Sequence, residues 1–423
     1  MLPSVRPALV YRTTVRDRRA GHPPDRVPTG APEPTASHVH ARRLHRPSGA
    51  DLVGEGGNLA PVNANNYHYS AMTTTPRLPP RAHALLVLTL LVALGASVPA
   101  AVSWGAAEIP VADTARFFWA ALTGGVIPAA DFTDYTVVLQ IRTPRVLLAA
   151  VVGAGLSALG IAAQAMVRNP LADPFILGIS SGAAVGASAV VSWGLFAALG
   201  GLALSAAAFL GALAASVLVY LLSRTPGGVA PVRLILTGVV LSFGFQALMS
   251  AIVFFDAKGD AARTVMFWML GSLGAATWQQ LPLPVAATAL CLAWLAWRAQ
   301  DLDTLSMGDG SAASLGVDPD RMRVQLFALT VLGTATLVSV AGTIGFVGLV
   351  VPHATRIVLG PAHRRAVVVA PLVGALFIVW VDLLSRVAVP PRELPLGVVT
   401  ALIGVPVFLV LMRRAGYVFG GSR

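Results

Sequence analysis

An all-α protein that crosses a membrane ten times is the fold class this sequence predicts, and three observations predict it. Of 423 residues, 56% are hydrophobic and 12% charged, with a mean hydropathy of +0.73, whereas soluble chains carry about 25% charged residues. Stretches free of Asp, Glu, Lys and Arg run over 84–104, 146–167, 175–222, 234–255, 264–297, 324–352, 366–381 and 394–412, and most exceed the roughly 18 residues that mark a spanning helix. The cations between these stretches alternate in density from loop to loop. Helices are the open-ended structure that satisfies its own backbone in hydrocarbon.

The chain divides near residue 80. Upstream, Arg12 to Arg46 is rich in Arg, His, Pro and Thr without apolar periodicity, a composition that cannot offset the cost of ordering it. Residues 1–80 are expected to form a disordered basic tail and residues 81–423 a ten-helix membrane domain. Met72, just before the first apolar run, is an alternative natural start. His22, His38, His40, His45 and His68 fall in the tail with irregular spacing, which reads as composition rather than a metal site. The single Cys291 excludes an internal disulfide framework and Cys-based metal centres. The formal charge of +11 is spread, +4 over residues 1–71 and +7 beyond, so topology and lipid headgroups account for it without nucleic acid.

The first two crossings follow from 84–104 and 146–167. The stretch 175–222 holds two more, with a turn near Ala197 to Gly201; 234–255 and 264–297 give one each. Residues 324–360 are either one long helix or two shorter ones, which decides between nine spans and ten. With ten, Lys and Arg of the membrane part divide 14 inside to seven outside; with nine, ten inside to 11 outside. The positive-inside rule selects ten, with both termini cytoplasmic. Ser306 and Arg364 then face the cytoplasm, and Asp134 and Lys258 face outward. The longest inner loop, Arg298 to Arg323, carries Asp301, Asp303, Asp309, Asp318 and Asp320 and reads as a docking surface.

A phosphate-cradling P-loop needs Gly-Lys-Ser or Gly-Lys-Thr, but the one lysine, Lys258, lies between Ala257 and Gly259. No enzymatic role is expected of the chain itself, nor a cofactor or metal. Ion-coupled carriers place carboxylates near the membrane midplane; the acid inside a span is Asp382, near a helix end, read as the structural partner of a nearby Arg. A pore of this kind must be moved by another protein. A secondary carrier or channel without an ATPase, and a non-transporting scaffold, are the alternatives. Gly153, Gly155, Gly160, Gly178, Gly182 and Gly186 read as close helix packing, and His353 as a structural hydrogen-bonding group. Ser242, Gln246, Ser250 and Thr400 are polar groups on spans that are candidates for a pathway lining.

Several runs carry a family resemblance: Arg142-Thr-Pro-Arg145; Gln164; Arg168-Asn-Pro-Leu-Ala-Asp-Pro174; Gly178-Ile-Ser-Ser-Gly182; Phe267-Trp-Met-Leu-Gly271; Gly345 to His353; and Glu393 to Pro406. Over residues 82–414 the chain resembles the permeases that import iron-siderophores, haem and vitamin B12. The resemblance implies a ten-helix subunit of a type II ABC importer in a bacterial cytoplasmic membrane, paired with itself or with a sister permease. It further implies two cytoplasmic ATPase subunits, an extracytoplasmic substrate-binding protein and a metal-chelate substrate. By the same resemblance, Ser306 to Val317 forms the ATPase-coupling element, with Gly308, Asp309, Leu315 and Gly316 as its key positions. The family usually has two acids after the first Gly, and here Gly310 replaces the second. The resemblance gives Arg142, Arg145 and Arg386 the role of docking the binding protein.

Overall fold

The computed structural model of the chain describes residues 79–105, 109–225, 228–256 and 261–414. The expected tail, apart from its last two residues, and Lys258 lie outside the described residues. Helix α1 (Pro80–Ser103) is the first crossing. Two short helices, α2 (Val111–Thr123) and α3 (Phe132–Thr136), lead through a π-turn over Val137–Arg142 into α4 (Thr143–Val167). The stretch 175–222 divides into α5 (Ile179–Trp193) and α6 (Ala203–Ser223). A two-stranded ribbon, Arg224–Thr225 against Gly228–Val229, joins α6 to α7 (Pro231–Phe254). Next come α8 (Ala261–Met269), α9 (Pro282–Trp297), α10 (Ala299–Ser306) and α11 (Asp309–Ser314). The chain continues through α12 (Pro319–Ala341), α13 (Val347–Leu359), α14 (His363–Val387) and α15 (Leu396–Arg414).

Among the described residues, eight helices are long and apolar enough to cross a membrane, and two shorter apolar ones, α5 and α13, bring the count to the expected ten. The stretch 324–360 is two helices, as the positive-inside count required. Its break falls at Gly342 (φ +67°), which lies so close to the Trp268 carbonyl that a Cβ would collide with it. The charge-free stretch 264–297 contains a single crossing, α9, and its beginning belongs to the short α8. Proline stands in the first turn of α1, α4, α7, α9 and α12, where its missing N–H costs nothing and its fixed φ suits a helix start.

Helix α4 is the axis of the bundle, packed against α14, α12, α13 and α9. Glycines set its distance from two neighbours: a Cβ at Gly153 would run into the Gly374 backbone on α14, and one at Gly160 into Gly348 on α13. Such contacts let helix backbones approach where lipid gives no hydrophobic drive to associate. Helices α1, α7 and α15 are largely uncovered.

The connections sort into two ends. At one end, Arg386 donates to Trp104 O (3.1 Å), Ser272 N to Ala341 O (2.9 Å), and Leu396 N to Gly271 O (3.0 Å). At the other, Arg168 meets Asp309, and His363 meets Asp303. These contacts put the C-terminal ends of α1, α12 and α14 at the first end, and that of α4 with the start of α14 at the second. Ser306 and Arg364 lie at the second end, and α3, which carries Asp134, leads into the first.

Candidate functional site

Two polar clusters stand out, one at each end of the bundle. At the first, the π-turn closes with Thr143 Oγ1 donating to Val138 O over five residues (2.7 Å), and delivers Arg142 and Arg145 to the top of α4. Arg145 Nε donates to Asp382 Oδ1 (2.8 Å), while its two terminal nitrogens grip both oxygens of Glu393 (2.9 Å each). One helical turn beyond Asp382 on α14, Arg386 Nε donates to the other Asp382 oxygen (3.0 Å). Arg386 also donates to Ala101 O (2.9 Å) and Trp104 O (3.1 Å). Arg142 Nη1 donates to Ser103 O (2.7 Å) and Val102 O (3.0 Å). These carbonyls belong to the end of α1, where a helix leaves its acceptors without partners of its own.

The structure thus brings together the three arginines singled out in the sequence, and adds two carboxylates. Asp382 is fully buried, and Arg142, Arg145 and Arg386 are 6%, 5% and 6% exposed; the side chain of Glu393 is 47% exposed. Asp382 is the structural partner its position suggested. The cluster fastens α1, α4, α14 and the segment before α15 into one corner, with Glu393 at its surface.

At the second end, Gly308 (φ +110°) turns the chain between α10 and α11, and Gly316 (φ +84°) follows α11. Both angles favour glycine because it lacks a Cβ. Asp309, at the start of α11, accepts from Arg323 Nη2 of α12 and pairs with Arg168 Nη1 (3.2 Å). Arg168 caps α4 in the left-handed region (φ +51°), a cost of about 1–2 kcal/mol for a side-chain-bearing residue. Its guanidinium at Asp309 ties that cap to α11. Asp303 on α10 accepts from the backbone N of His363 (2.8 Å), and His363 Nδ1 lies 2.7 Å from the same oxygen. Met307 and Leu315 are left 65% and 64% exposed.

Gly308, Asp309, Leu315 and Gly316 therefore fall in one compact segment, with the half-exposed Asp309 paired to Arg168 and Arg323 and Leu315 exposed. Nearby, Asp173 accepts from Phe175 N (2.9 Å) and starts the turn before α5; burial pushes its carboxyl up to about 6.

Of the proposed pathway residues, Ser242, Gln246 and Ser250 share one face of α7, with Gln246 and Ser250 exposed. Ser242 donates to Gly238 O (2.7 Å) and Ser250 to Gln246 O (2.9 Å). Thr400 is fully buried on α15 and donates to Gly397 O (3.1 Å). Sequence reasoning missed Glu393 as the partner of Arg145, and missed Asp303, His363, Arg168 and Arg323 as a set. An acid-bearing loop between basic helix ends was the signal for that set; which acid meets which cation had none.

Residues 87–414 match the FecCD transport family. The chain is 38% identical over 338 residues to the cobalamin import system permease protein BtuC of Halobacterium salinarum, covering 78% of this chain and 88% of that one. It is 38% identical over 300 residues to the Fe(3+) dicitrate transport system permease protein FecD of Escherichia coli, covering 69% and 92%. Among solved structures it is similar to an inward-facing one assigned to the metal-chelate type of ABC transporter, with TM-score 0.67, 29% identity, and coverage of 78% of this chain and 99% of that one.

Proposed function

This chain belongs to the FecCD transport family, and from that premise we propose that its cargo is an iron chelate such as a ferric siderophore, or haem or cobalamin. By that membership the chain is a multi-pass membrane permease of an ABC importer, a class that works with separate ATPase subunits and a binding protein. The observation that carries the reading is the match over 87–414, which takes in most of α1, every later described crossing and the α10–α11 segment.

The chain lies in a bacterial cytoplasmic membrane with both termini cytoplasmic, as a homodimer or beside a sister permease. The uncovered α7 and α15 support a second permease against these faces, with Ser242, Gln246 and Ser250 toward the pathway and Thr400 in the wall behind it. The ATPase subunits engage the segment around Gly308 to Gly316 through the apolar surface that Leu315 and the preceding Met307 present. The binding protein docks at the opposite end, over Arg142, Arg145 and Arg386. Their guanidiniums are engaged within the chain, so they support docking from beneath, by holding the surface that carries Glu393 and the exposed Arg392.

Copurifying the cognate binding protein and identifying its ligand by mass spectrometry tests the cargo. An iron chelate, haem or corrinoid is expected; a sugar, peptide or free amino acid contradicts the proposal.

A further inference from the structure

Two carboxylates, Asp303 and Asp309, attach the α10–α11 segment to the ends of the three most buried long helices. Asp309 reaches α4 through Arg168 and α12 through Arg323. Asp303 reaches the first residue of α14 through both the backbone N and Nδ1 of His363. Arg323 and His363 are buried, at 4% and 3% exposure, so each carboxylate bonds a group fixed in the bundle. The apolar side chains on the same segment, Met307 and Leu315, are exposed. The segment thus joins charged contacts to the bundle with an exposed apolar surface.

We propose that Asp303 and Asp309 are positioning residues that form a yoke, carrying displacement of the α10–α11 segment into α4, α12 and α14 without themselves touching the ATPase. The proposal rests on the reading of this segment as the ATPase-coupling element. Force applied at Met307 and Leu315 bears on a short segment that turns at Gly308 (φ +110°). Without fixed links its displacement would dissipate in the loop. Charge-assisted hydrogen bonds to groups in the rigid bundle supply the links, one from α10 through Asp303 and one from the start of α11 through Asp309. The placement also accounts for Gly310: a second acid there stands over open space, where a Cβ meets nothing within 4 Å, and would add nothing to the yoke.

The test uses the complete importer in proteoliposomes, with Asp303→Asn, Asp309→Asn and, as a variant that removes one arm only, Arg168→Gln. The ATPase subunits are expected to copurify with each variant in wild-type ratio. ATP hydrolysed per chelate imported should rise about tenfold for Asp309→Asn, the scale set by losing a hydrogen bond to a charged group, and less for Arg168→Gln. Asp309→Glu should restore part of the coupling, and Met307→Asp should instead lose the ATPase subunits. An unchanged ratio of ATP to substrate in both Asp→Asn variants overturns the yoke. Loss of the ATPase subunits in Asp309→Asn also overturns it, by showing that the carboxylate meets the ATPase. A wild-type complex that neither binds ATPase subunits nor imports overturns the coupling reading itself, and the yoke with it.

Discussion

Asp382 has no exposed surface, and its two oxygens are shared between the Nε atoms of Arg145 and Arg386. Removing one partner of a buried charge network leaves the others uncompensated, at about 3–5 kcal/mol. Asp382→Asn should therefore destabilise the purified chain in nanodiscs by that amount in thermal or denaturant unfolding. Glu393→Gln, at the half-exposed edge of the same cluster, should cost about 1 kcal/mol or less. Asp173 supplies a pH dependence of opposite sense to an ordinary ion pair. Its folded carboxyl lies at about 6 against a reference value of 3.8, so the folded state favours the proton. Stability from this group is full below the reference value and is lost as pH rises through about 6. Asp173→Asn, which keeps a capping acceptor, should gain about 1–3 kcal/mol over the wild type at pH 7.5, and the gain should vanish by about pH 3.5. At this scale the sequence was half legible. Asp382 and Arg386 sit four apart on one helix and announce each other, but Arg145 lies 237 residues from Asp382, and no local pattern joins them.

The helices owe their arrangement to close approaches. Gly160→Val should block the α4–α13 contact and prevent a folded chain from being recovered in detergent, because the added carbons meet backbone that cannot move aside. Gly310→Ala, in open space with ordinary backbone angles, should be recovered at wild-type level. The break between α12 and α13 was read correctly from cation counting, although hydropathy alone ran through it. At 13 residues α13 is about 20 Å long, too short to cross unaided, and its irregular approach over 342–346 is tolerated because protein rather than lipid surrounds it. The short helices α2, α3 and α8 went unread for a physical reason. A search for charge-free stretches cannot find helices that carry Asp113 and Arg116, Asp134, or Arg263 on one face.

Across the whole molecule, the two ends carry different chemistry: arginines and carboxylates locked in a corner at one, a yoked segment with two exposed apolar side chains at the other. In a Cys291→Ser background, single cysteines at Ser306 and Arg364 should resist an impermeant maleimide added to intact cells, while one at Asp134 should react. Labelling of 364 from outside would contradict ten crossings. The fold class was legible throughout because lipid imposes one rule on every span, long apolar helices with cations held to one side. The contacts within each end were not, because they join loops distant in sequence. ATP hydrolysis on partner subunits drives import through this chain, and chelate uptake into proteoliposomes holding the permease, ATPase subunits and binding protein is the measurement that checks it. Accumulation is expected with ATP and none with a non-hydrolysable analogue. Equal accumulation with the analogue would make the chain a carrier or channel instead.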